Sequence, residues 1–156
     1  MRKIKIKLGK NAPYPHCFLK EDNVYSESRN IYMVDFRAFK AITNNQGKGY
    51  KIQEYLYWDH DFQNRMINHY KPTSNNPTRL MPRIAIFPKE RKGQFFMKIL
   101  NRKAKPQNFL VNFGNGRHRF NFLRHFGATS IPFQMSKESA SNLNKLIGLP
   151  VCTMIK

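Results

Sequence analysis

Arg117, His118 and Arg119 stand in a row directly after Gly114-Asn115-Gly116. The residues before this stretch read as a strand and those after it as a helix. A strand that turns through glycine into a helix has a use: the backbone bends sharply and lets an anion approach its amides. The first helical turn adds unpaired N–H groups and the positive end of the helix dipole, which together form an anion site. Arginine grips phosphate in bidentate fashion, and histidine changes protonation near neutral pH. Three basic residues in a first turn oppose the dipole, and an anionic ligand would relieve that conflict. Gly114, Asn115, Gly116, Arg117, His118 and Arg119 are therefore the candidate phosphate-binding residues. His118 and Arg119 are the candidate catalytic residues. The competing reading is a plain strand–turn–helix with solvated charges, because a Gly-x-Gly turn alone is a weak signal.

The elements that must hold this loop follow from periodicity. Phe109–Phe113 reads as the strand, and Gly114-Asn115-Gly116 as a tight turn. Arg117–Phe126 reads as the helix, with Phe120, Leu123 and Phe126 inward, Arg124 and His125 on the basic side, and Gly127 as its stop. Ile131–Met135 is the next strand, and Ser136 caps a last helix to about Ile147. Upstream, Lys3–Leu8 alternates lysine with apolar residues, an amphipathic strand whose lysines also guard an edge. Asn11–Pro15 breaks it. Ile31–Val34 is a short strand, and Asp35 caps a helix carrying Phe36, Phe39 and Ile42. Tyr50–Trp58 has no clear period. Asp59 or Asp61 caps a helix to about Tyr70, with Phe62, Met66 and His69 on one face. Lys71–Pro82 reads as a loop, and Arg83–Phe87 as a strand in a hairpin with Gln94–Leu100. The expected class is α+β, a small mixed sheet with flanking helices, in a single domain over residues 1–156.

The net charge of +19 gives the chain a field that attracts polyanions. Nucleic acid is the first partner to expect and an acidic protein surface the second. A membrane is not expected, since no basic amphipathic helix with a clean apolar face is present. The two cysteines, Cys17 and Cys152, lie far apart with no CxxC, so neither a zinc site nor a disulfide framework is expected. No apolar run follows the N-terminal MRKIKIKLGK, so a cytoplasmic chain without signal peptide is expected.

Other clusters have weaker claims. Glu54, Asp59, His60 and Asp61 could hold Mg²⁺ or act as acid and base, but capping and surface charge explain them more simply. Tyr55, Tyr57, Trp58, Phe95 and Phe96 could stack on bases, although aromatic residues at such spacing usually form core. His16 and Cys17 have no partner that makes a catalytic pair. Arg91, Lys92, Arg102, Lys103 and Lys105, together with Arg124, form a candidate nucleic-acid track.

The stretch VNFGNGRHRFNFLRHFGATSIPFQM resembles the core motif of the ParB/sulfiredoxin-like superfamily. Within it, Asn115–Phe120 and Leu123–Gly127 are most similar to the plasmid fertility-inhibition factor and ParB-like nuclease group. The resemblance is specific over Phe109–Met135 and loose elsewhere. It implies a small α+β fold that places nucleotide phosphates on the loop, with ATP or CTP and Mg²⁺ as the implied cofactors. It also implies a mobile-element protein that interferes with DNA transfer, as a nucleotide hydrolase or DNA nuclease. Three departures from the wider pattern fall at two positions. Arg117 stands where sulfiredoxins carry the reactive Cys, and where ParB carries Glu. Asn115 stands where many nuclease-like members carry Asp. The alternative is a non-enzymatic basic antagonist that masks nucleic acid or an acidic protein.

Overall fold

The computed structural model describes residues 2–22, 29–47, 53–73, 78–89 and 108–155. The expected strand Gln94–Leu100 and the basic residues Arg91, Lys92, Arg102, Lys103 and Lys105 lie outside the described residues. The class is α+β as expected, but the strands divide into two sheets rather than one.

The smaller sheet joins β1 (Lys3–Lys7), β2 (His16–Lys20) and β4 (Arg79–Leu80) in the order β1-β2-β4. The larger has the order β6-β5-β7-β3-β8, from β3 (Asn30–Asp35), β5 (Arg83–Pro88), β6 (Phe109–Asn115), β7 (Ser130–Met135) and β8 (Cys152–Met154). The helices are α1 (Phe39–Asn44), α2 (His60–Tyr70), α3 (Arg117–His125) and α4 (Lys137–Ile147). Asp35 accepts a hydrogen bond from the Arg37 N–H and so opens a short 3-10 turn that runs into α1. Asp59 caps α2 through the Phe62 N–H, and Ser136 caps α4 through the Ser139 N–H.

β7 is central and buried, pairing with β3 over six residues. On its other side it meets β5 only where Arg83 faces Gln134. A proline inside a strand removes a ladder donor, and Pro132 is tolerated beside so short a pairing. Beyond that bridge β5 is sealed by α4 instead. Ser139 Oγ accepts from the Ile86 N–H, and Asn142 Nδ2 donates to the Ile86 C=O. Both polar side chains are buried, so each has the partner that burial demands. The antiparallel partner of β5 among the described residues is β6. The core beneath α3 is aromatic: Phe120, fully buried, packs against Phe39, Phe113 and Phe133.

Candidate anion-binding site

The expected Gly114-Asn115-Gly116 turn is tighter than the sequence suggested. β6 continues through Asn115, and a bulge between Arg83 and Ile84 absorbs Gly114. Asn115 Oδ1 accepts from the Arg83 N–H at 3.0 Å, replacing a ladder bond at the strand end. The turn is confined to Gly116, which has φ +77° and ψ 16°. A Cβ at Gly116 would lie 2.7 Å from Pro82 Cα. The glycine is thus required by dihedral and by the backbone running alongside it. α3 starts where the Phe120 N–H donates to the Gly116 C=O, so the amides of Arg117, His118 and Arg119 precede the first helical bond.

These residues form one wall of a cleft of ≈ 270 Å³. Phe62, Met66, His69 and Tyr70 of α2 form another wall, and Arg79 of β4 closes it. Among the described residues, three guanidinium groups and two imidazoles line the cleft, and no carboxylate does. Arg79 lines the cleft, while its Nε is buried and has no hydrogen-bond partner among the described residues. Arg119 is anchored: its Nη1 donates to the Leu80 C=O at 2.7 Å and more weakly to that of Met81 at 3.4 Å. It therefore ties the helix start to β4 while lining the cleft.

The α2–α3 contact that shapes the cleft is a column of rings. Tyr70 stacks on Phe122 at 4.7 Å, and His118 meets Trp58 and Phe62 edge-on at 5.3 and 5.2 Å. His118 keeps part of its ring in solvent, yet burial against these rings, with the neighbouring Arg117 second, holds its pKa below the ordinary histidine value. Burial, then Arg79 and Arg65, does the same to His69. His125 stacks on Tyr55 and is lowered by burial and Arg124, against an opposing pull from Glu54. The fold therefore prefers all three rings neutral. Their contribution to stability is complete above the unfolded-state value near 6.5 and is lost as pH falls through the lower folded values. Thermal unfolding at a series of pH values should show the midpoint falling below about pH 6.5, and His118→Gln should soften that fall. A midpoint flat down to about pH 5 would contradict the lowered values.

Arg124 does not line the cleft; its guanidinium donates to Thr43 Oγ1 at 2.9 Å and to Glu54 at 3.1 Å. Glu54 is thereby engaged, and Asp59 is a helix cap. Among the described residues no three His, Cys, Asp or Glu side chains converge as a metal-ligand cluster. Two residues of the neighbourhood escaped the sequence reading. Arg79 lay in what read as a loop. Asp22 is buried, its carboxylate 3.9 Å from Arg83 Nε, and its backbone is held by Gln134. Burial pushes the thiol of Cys17 up to about 12, and that of Cys152 likewise to about 12, so both are poor nucleophiles. No helix among the described residues is long and apolar enough to cross a membrane.

This geometry defines a class: an α+β protein with a basic cleft at the start of a helix that follows a bulged strand. The model of the plasmid fertility inhibition factor family matches residues 31–148. The chain belongs to that family. Among solved structures it is similar to Oncogenic Suppression Activity Protein, a plasmid fertility inhibition factor crystallised as a gold(I) cyanide derivative. The TM-score is 0.63 and the identity 17%, covering 92% of this chain and 67% of the other. The curated proteins contain no match.

Proposed function

We propose that the cleft holds a phosphate of a nucleotide or nucleic acid, and that the chain interferes with plasmid transfer through that contact. The observation that carries this reading is the convergence of Arg79, Arg117 and Arg119 with His69 and His118 around one cleft, whose lining among the described residues contains no carboxylate. The likeness of Asn115–Phe120 to ParB/sulfiredoxin-like loops points the same way, toward ATP or CTP. Any Mg²⁺ would be carried mainly by the nucleotide's own phosphates, since Asp59 caps α2 and Asp22 and Glu54 face arginines. In the catalytic form of this reading His118 moves a proton during nucleotide or DNA hydrolysis. Phosphoryl chemistry needs little beyond positioning and charge neutralisation.

A second reading, a non-enzymatic antagonist, has its own observation. Asn115 and Arg119, both expected at the reactive loop, spend hydrogen bonds on the backbone of Arg83 and Leu80. The fold would then serve as a basic module that masks nucleic acid or an acidic protein. Calorimetry with ATP, CTP and inorganic phosphate, with and without Mg²⁺, tests the cleft. Arg79→Ala and Arg117→Ala should each weaken binding by roughly tenfold or more, the worth of a charge-assisted hydrogen bond. No binding of any of these anions, or binding indifferent to both substitutions, would sink the cleft reading. His118→Ala then separates the two forms. Retained binding with lost hydrolysis marks an enzyme, and unchanged interference with plasmid transfer marks an antagonist.

A further inference from the structure

The small sheet has a second basic surface, on the side away from its packed face. In β1 the side chains of Lys3, Lys5 and Lys7 are exposed, while Ile6 is buried. The register sets Lys3 opposite Lys20, Lys5 opposite Phe18 and Lys7 opposite His16. Residues directly opposite in an antiparallel pair share a face. Four lysines, a histidine and a phenylalanine therefore share the outer face, and Ile4, Ile6, Cys17 and Leu19 share the inner one. Like charges directly opposite, as at Lys3 and Lys20, destabilise a strand pair. No carboxylate among the described residues pairs with these lysines. Lys3 Nζ lies 4.4 Å from the centre of the Phe18 ring, and His16 meets that ring edge-on at 5.2 Å. This surface precedes the residues matched by the family model, 31–148.

We infer that the outer face of β1 and β2 is a binding site for single-stranded nucleic acid. Alternate lysines on one strand repeat at about 6.7 Å, comparable to successive phosphates on an extended strand. Phe18 and His16 add the rings on which unpaired bases stack, the usual partner of a basic track. A duplex offers no such bases. A bilayer is a poor occupant, because Ile4, Ile6, Cys17 and Leu19 turn inward and the single ring of Phe18 is little apolar surface to insert. The site is separate from the cleft. Arg79 pairs in register with Leu19 and so belongs to the inner side, whereas Lys20 belongs to the outer.

The test is fluorescence anisotropy of the full chain with a labelled oligothymidylate of about 15 nucleotides, across a salt series. The variant Lys3→Thr/Lys5→Thr/Lys7→Thr keeps strand propensity and should bind at least tenfold more weakly. Its log–log salt slope should be shallower by about 2, at roughly 0.7 per lost phosphate contact on a single strand. Phe18→Leu should weaken binding with the slope unchanged. Lys5→Thr alone, shallower by about 0.7, keeps the test open if the triple variant misfolds by circular dichroism. The triple lysine variant should bind ATP and inorganic phosphate as the wild type does, since none of its three positions lines the cleft, so this inference and the cleft reading fail separately. Unchanged affinity and slope in the folded lysine variants would overturn the inference. So would equal binding of duplex, or a loss confined to mixed phosphatidylserine–phosphatidylcholine vesicles.

Discussion

Gly116→Ala should destabilise the chain by about 3 kcal/mol or more and weaken anion binding in parallel. A left-handed residue with a Cβ costs roughly 1–2 kcal/mol by itself. At Gly116 the new Cβ also meets Pro82 Cα at 2.7 Å and Pro82 Cβ at 3.0 Å. Pro82 is buried and is backbone at the contact, so it cannot swing aside as a flexible side chain would. If it shifts, the carbonyls of Leu80 and Met81 that anchor Arg119 shift with it. Gly148 supplies the control. It has φ +75° and nothing within 4 Å of an added Cβ, so Gly148→Ala should cost only about 1–2 kcal/mol. Gly116→Asn distinguishes the causes, since asparagine tolerates the left-handed region but still carries the Cβ. Urea unfolding of the three variants reads the result. Equal losses at 116 and 148, or rescue by asparagine, would show that Pro82 yields.

Gln134→Met should be the other costly substitution, at about 2–5 kcal/mol, although it preserves side-chain size. Gln134 is fully buried. Its Oε1 accepts from the Asp22 N–H at 2.9 Å, and its Nε2 donates to the Asp22 C=O at 3.1 Å. Methionine leaves both backbone groups without their partner, at roughly 1–3 kcal/mol each. The effect should reach the cleft's surroundings, because Asp22 faces Arg83, and the Arg83 N–H holds Asn115. Denaturant unfolding measures the loss. A loss under about 1 kcal/mol would mean that the Asp22 backbone finds other partners.

The parts legible in the sequence were those with a local signature. The Gly-x-Gly stop before a helix and the apolar period of Phe120 and Leu123 located α3. The spacing of Phe62, Met66 and His69 picked out the face of α2 that lines the cleft. Arg79 was not legible, because β4 is two residues long and exists only through its parallel bridge to β2. β2 has only a five-residue alternation, with Cys17 and Leu19 buried between His16, Phe18 and Lys20, too short a period to mark a strand by itself. Asn115 and Arg119 looked like ligand contacts because their backbone partners, Arg83 and Leu80, are more than 30 residues away. Gln134 left a trace, a lone polar residue in the run Ile131–Met135, but not the identity of its partner.

The junction between β5 and β7 has a consequence for how the chain fails. Two short side chains on a helix, Ser139 and Asn142, do there what a neighbouring strand does elsewhere. If α4 lifts, even briefly, Ile86 presents an open donor and acceptor on a strand rich in apolar residues. Such an edge is a template for a foreign strand. Helix α4 therefore acts as a cover over β5, and loosening that helix is expected to favour aggregation.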